Sequence, residues 1–242
     1  MCFSPYWACY EWVVNEHVFA IPLWIDLLAV GIGSVQGAAF AAQFRDRRLD
    51  LLGVAIIGIA TGFGGGIIRD VLLNQVPLAL QSNWYLPVAT AAALVGMLLQ
   101  RVVHKLGVTI NVLDAVTIGM FGAIGTTKAL ALGLPVIPAI FVGSVAAVGG
   151  SILRDLLLNL PIAIMQVGSL YAVAAIVGTS TLVVLDALGV EVFVAGLVCV
   201  IVTFGVRVLA VAFHWTLPEQ RHLPTGPIRW IRRTKGDGPA AG

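Results

Sequence analysis

Seven apolar runs follow one another along the chain, at about residues 22–43, 50–73, 84–103, 112–131, 135–158, 168–187 and 191–213. Each has 20 to 25 residues and is bounded by charged or turn residues. A helix of about 20 apolar residues crosses the hydrocarbon core of a bilayer with every backbone group bonded within the segment. Strands of a membrane barrel would instead alternate apolar and polar residues over segments of about ten, and these runs do not. Only 11% of the residues are charged, against about 25% in soluble domains. A surface so poor in charge excludes a soluble enzyme, a nucleic-acid-binding domain and a disordered chain. The expected class is an all-α polytopic membrane protein with seven transmembrane helices.

The expected layout is an interfacial segment at 1–21, a transmembrane domain at 22–213 and a tail at 214–242. Trp7, Tyr10 and Trp12 stand among Glu11 and Glu16 in the first segment, which has no basic start and does not read as a cleavable signal. Arg45, Arg47 and Arg48, then Arg101 and Lys105, then Arg221, Arg229, Arg232, Arg233 and Lys235 all fall on one side of a seven-span chain. The connections 74–83 and 132–134 carry neither Lys nor Arg. The positive-inside rule puts the N-terminus outside and the C-terminus in the cytoplasm. The basic tail is expected to be disordered and to lie near anionic headgroups, so membrane lipids are expected partners and nucleic acid is not. Cys2, Cys9 and Cys199 have no metal-ligand spacing and read as unpaired thiols.

The chain repeats itself. Gly64-Gly65-Gly66-Ile67-Ile68-Arg69-Asp70-Val71-Leu72-Leu73-Asn74 recurs, 85 residues on, as Gly149-Gly150-Ser151-Ile152-Leu153-Arg154-Asp155-Leu156-Leu157-Leu158-Asn159, and Pro77 and Pro161 follow. Asp26, Gly31 and Gly37 match Asp114, Gly119 and Gly125 in spacing. The copies are 22–103 and 112–187, with a seventh helix, 191–213, outside them. Three spans per copy is an odd number, so the second copy enters the membrane from the opposite side. Such inverted repeats are common in proteins that move small solutes or ions.

Two roles fit the glycines. Small residues permit close helix packing, but clusters at matched positions, Gly64, Gly65, Gly66 and Gly149, Gly150, favour a kink or unwinding of spans two and five. Asp70 and Asp155 would then stand in the first turns of outgoing half-helices, where the dipole favours negative charge. Arg69, Asp70, Arg154 and Asp155, with Asp26, Asp114 and Lys128, are ionisable residues in apolar surroundings and are expected to face the bundle interior or an aqueous path. Arg69 and Arg154 stand near enough to the ends of their spans to snorkel, but the adjoining short Asp weighs against it. Structural pairing and a direct role in a pathway are both open for the Arg-Asp units.

No catalytic constellation appears. His17, His104, His214 and His222 are scattered, and no H-E-x-x-H, Walker or nucleophile-elbow sequence is present. The chain does not read as an enzyme and calls for no cofactor beyond a permeating K+ or Na+.

The paired glycine–Arg-Asp–Asn motifs on spans two and five resemble the trimeric intracellular cation (TRIC) channel family, most closely its prokaryotic branch, over about residues 22–213. The resemblance implies a homotrimer with one pore per protomer. Spans one, two, four and five would line it, with glycine kinks in spans two and five. The triple glycine is complete at Gly64, Gly65 and Gly66; Ser151 replaces the third glycine in span five, implying a milder kink. The family's lysine in span four corresponds to Lys128. Ala129, Leu130 and Ala131 follow it, without the further basic residues by which animal members bind an inositol lipid.

On the expected topology Asp26, Arg69, Asp70 and Lys128 lie toward the outer face and balance, whereas Asp114, Arg154 and Asp155 lie toward the inner face with one negative charge in excess. Lys128 has no counterpart in the first copy, where Phe40 takes the equivalent place. A lone lysine on a cation path, with Asp70 and Asp26 as counter-charges, reads as a gate or barrier. The reading is a K+-conducting channel; the alternative is a secondary transporter for a small solute such as an amino acid.

Overall fold

The computed structural model describes residues 22–44, 49–102, 106–166, 170–213 and 215. The expected interfacial segment 1–21, the arginines at 45–48, Lys105 and the tail beyond 215 lie outside the described residues. The described residues form eight α-helices: α1 (Leu23–Ala41), α2 (Leu51–Leu72), the short α3 (Leu78–Gln81), α4 (Tyr85–Val102), α5 (Leu106–Ala131), α6 (Val136–Leu157), α7 (Tyr171–Ala187) and α8 (Val192–Ala212). A 3-10 turn, Ala163–Met165, precedes α7. Seven of the eight helices are long, in keeping with the expected class of seven-helix membrane protein.

The bounds differ from the apolar runs in two ways. α5 starts at Leu106, six residues ahead of its run, so 101–110 is mostly helix rather than connection. α4 and α7 are shorter than the other long helices, at 18 and 17 residues. Five helices are long and apolar enough to cross a membrane by length and composition, and the apolar parts of α4 and α7 fall just short. Seventeen residues still span about 25 Å, the lower end of what a crossing needs.

Local chemistry sets the helix ends. Asp50 caps α2, its Oδ1 accepting from the Gly53 N–H at 2.6 Å, which satisfies one orphan donor of the first turn. Pro22, Pro77 and Pro135 immediately precede α1, α3 and α6. The asparagine of each motif ends its helix. Asn74 and Asn159 are left-handed, at φ 52° and 47°, and the following N–H groups return to Asp70 O and Asp155 O at 2.8 Å. Asparagine tolerates that conformation better than most residues, so the helix stops there with its last carbonyls satisfied.

The duplication extends from sequence into packing. α1 pairs with α2, and α5 pairs with α6. α2 and α6 cross in close contact, which joins the two copies. The third helices break the correspondence: α4 packs extensively on α1, whereas α5 meets α7 less and packs on α8 instead.

The glycine clusters do not unwind their helices. α2 and α6 run unbroken through them, and the clusters face one another. A Cβ on Gly64 would stand 3.0 Å from the Gly150 Cα, one on Gly65 would overlap the Ala146 carbonyl, and one on Gly150 would overlap the Thr61 carbonyl. The helix ladder survives because the absence of side chains here is used for contact between backbones. Asp70 and Asp155 consequently lie in the last turns of whole helices, not in the first turns of half-helices, and helix dipoles do not favour them there.

Candidate functional site

Two buried charge clusters flank the α2–α6 crossing. In the first, Arg69 is the hub. Its Nε donates to Asp70 Oδ1 at 2.7 Å and its Nη2 to Asp70 Oδ2 at 3.2 Å, while Nη1 donates to Asp26 Oδ1 on α1 at 3.1 Å. Tyr85, at the start of α4, donates to Asp26 Oδ2 at 2.6 Å. The Leu78 N–H, opening α3, donates to Asp70 Oδ2 at 2.9 Å. Lys128 Nζ reaches across from α5 to Asp70 Oδ1 at 2.8 Å. Every carboxylate oxygen of Asp26 and Asp70 thus has a donor, which is the condition for keeping ions in a dry interior.

The second cluster repeats this plan. Arg154 Nε and Nη2 donate to Asp155 Oδ1 at 3.0 and 2.8 Å. The Ala163 N–H donates to Asp155 Oδ2 at 2.9 Å, as Leu78 does to Asp70, 85 residues earlier. Arg154 Nη1 stands 3.6 Å from Asp114 Oδ1. Gln36, on α1, donates to the same oxygen at 3.1 Å. The guanidinium of Arg154 lies over the Phe40 ring, 4.0 Å from its centre, within cation–π range.

All seven ionisable residues singled out in the sequence enter these clusters. Arg69 and Arg154 do not snorkel; their side chains are 1% and 2% exposed. Lys128 keeps 20% exposure and meets Asp70, one of its two expected counter-charges; its contact is not with Asp26. Four participants were not singled out: Gln36, Tyr85, Tyr171 and Arg207. Arg207, on α8, stands 3.9 Å from Asp114 Oδ2 and lies over the Tyr171 ring, 3.6 Å from its centre. It balances the negative charge that Asp114, Arg154 and Asp155 otherwise carry in excess. The two tyrosines had a signal, since each opens the third helix of its copy, 11 and 12 residues after the motif asparagine.

Fold and site define a class: a polytopic helical membrane protein built by duplication, with a polyionic cluster in each half. The chain belongs to the family whose model is described as glycine transporter, which matches twice, over residues 23–101 and 111–187, one match per copy. It is similar to a UPF0126 membrane protein of Deinococcus radiodurans, 34% identical over 64% of this chain and 72% of that one. It is also similar to the UPF0126 inner membrane protein YadS of Escherichia coli K12, 29% identical over 81% and 94%. Among solved structures, the TRIC orthologue from Rhodobacter sphaeroides superposes with a TM-score of 0.73 at 28% identity, covering 80% of this chain and 98% of that one. A structure described under conductance through TRIC cation channels gives 0.71 at 30%, covering 83% and 98%. The resemblance read from the paired motifs is therefore borne out, and the chain is a multi-pass membrane protein of the TRIC fold.

Proposed function

We propose that this protein is a cation channel of the inner membrane, conducting K+ through a path in each protomer of a homotrimer. The path runs among α1, α2, α5 and α6, with the N-terminus outside and the two copies inverted across the bilayer. The observation that carries this reading is the Lys128–Asp70 pair. A lysine that keeps one-fifth of its side chain exposed, at 20%, is uncommon on an otherwise buried ion cluster, and it belongs to one copy only. A single positive charge where water is scarce and screening weak repels cations strongly, so its release from Asp70 and withdrawal would lower the barrier. Separation of α2 from α6 at the facing glycines supplies the mechanical part of the gate. The likeness to solved TRIC cation channels supports the same reading, which assigns no catalytic step to any residue.

A second reading is favoured by the description of the matched family, a glycine transporter. Inverted repeats suit carriers as well as channels, and glycine would bring both an ammonium and a carboxylate to sites rich in opposite charges. Reconstitution separates the two. Discrete K+ current steps in bilayers support the channel, while saturable, ion-coupled glycine uptake into vesicles without such steps supports the carrier.

A further inference from the structure

The two clusters share one deficit and fill it differently. Each copy supplies two aspartates and one arginine: Asp26, Asp70 and Arg69 in the first, Asp114, Asp155 and Arg154 in the second, all buried. Either set alone leaves a negative charge uncompensated in a dry interior, where isolated ions are strongly disfavoured. The first cluster takes Lys128 from α5. In the second, the equivalent position is Phe40, which covers Arg154 and brings no charge. The balancing cation is Arg207, from the helix that belongs to neither copy.

Packing explains how α8 delivers it. α8 lies along α5 as α4 lies along α1. A Cβ on Gly119 of α5 would come 2.9 Å from the Val200 Cα, and one on Gly178 of α7 would overlap the Thr203 hydroxyl. α8 is thus seated closely between α5 and α7. Further along, Arg207 reaches Asp114 on the first and Tyr171 on the second. Its side chain is 8% exposed, and carboxylate and aromatic face hold the guanidinium from two sides.

We propose that Arg207 is the inner counterpart of Lys128: as counter-charge to Asp114 it sets the electrostatic barrier at the inner end of the path. α8 then completes the second half functionally. The barrier rests on the channel reading; the charge balance between Arg207 and Asp114 does not.

Arg207→Gln leaves the inner cluster with one negative charge in excess. A unit charge about 10 Å from a passing cation changes its local concentration by about 2-fold at water's dielectric and about 15-fold at an effective constant of about 20. In bilayers with symmetric KCl, Arg207→Gln should raise the current carried by cations entering from the inner side by about 2-fold or more. The opposite current should change less, so that the current–voltage relation rectifies, whereas Arg207→Lys keeps the wild-type shape. An unchanged shape in Arg207→Gln overturns the barrier assignment. Thermal unfolding of the purified protein gives the second arm. Arg207→Gln should lower the midpoint, and adding Asp114→Asn should restore most of the loss, because the cluster is neutral again. If Arg207 serves only to pack on Tyr171, Asp114→Asn deepens the loss and the charge balance is overturned. A wild-type protein that passes no current contradicts the channel reading, and the unfolding cycle then decides the inference by itself.

Discussion

Phe40 and Lys128 occupy equivalent positions in the two copies, and each reaches across to the other copy's arginine–aspartate pair. Lys128 Nζ stands 2.8 Å from Asp70 Oδ1, and the Phe40 ring lies 4.0 Å from the Arg154 guanidinium. The halves share a scaffold and differ in what closes it, an ion pair at one end and an aromatic face at the other.

That asymmetry makes Lys128 the first residue to change. Lys128→Gln removes the positive charge and leaves Asp70 Oδ1 to Arg69 alone, so cation flux should rise. Movement of the ammonium through part of the membrane field couples opening to voltage, at about 2.3 kcal/mol per full charge per 100 mV, so the voltage dependence should flatten. Lys128→Arg should keep most of the barrier. Unchanged current and voltage dependence in the Gln variant would mean that the lysine only anchors α5.

The glycines at the crossing separate into two kinds. Gly65→Ala places a methyl on the Ala146 carbonyl and should destabilise the protein by about 1–3 kcal/mol, as overpacking does. Gly66 meets nothing nearer than 3.9 Å, so Gly66→Ala should be neutral or slightly stabilising, alanine being the better helix former. Thermal midpoints in detergent check both, and equal effects at the two positions would contradict the crossing.

Replacing the hub of either cluster should be severe. Arg154→Gln leaves Asp155 and Asp114 short of a partner, and breaking a buried pair from one side costs about 3–5 kcal/mol. The measure is the yield of folded, monodisperse protein, and normal yield would show that water already reaches the cluster.

Much of this site was legible in the sequence, for a physical reason. Ions are so costly in hydrocarbon that their recurrence at matched positions, Arg69-Asp70 and Arg154-Asp155 above all, announces partners, and Asp26 and Asp114 proved to be among them. The motif asparagines were visible as a pattern, but their left-handed φ was not. Arg207 escaped because the duplication has no counterpart for α8, so comparison of the copies passes over it. The glycines were read as favouring a kink or unwinding, and α2 and α6 are not unwound; a sequence does not show whether a glycine loosens its own helix or makes room for another. Gly65 and Gly150 make room, for the carbonyls of Ala146 and Thr61, and only the tertiary fold places those carbonyls there.

The inversion is open to a test on one pair of equivalent residues. Leu80 and Met165 are 85 positions apart, one per copy, and both are exposed. In a variant without native cysteines, Leu80→Cys should react with an impermeant thiol reagent from outside, and Met165→Cys only after permeabilisation. Labelling of both from the same side would contradict the inversion and the assignment of outer and inner clusters.

Single-channel recording of the purified wild-type protein in planar bilayers with symmetric KCl tests the central claim most directly. A channel closed by Lys128 on Asp70 predicts discrete current steps, each carrying many ions per opening, with a voltage dependence that Lys128→Gln flattens. Silent bilayers, together with saturable glycine uptake by the same preparation in vesicles, would contradict it.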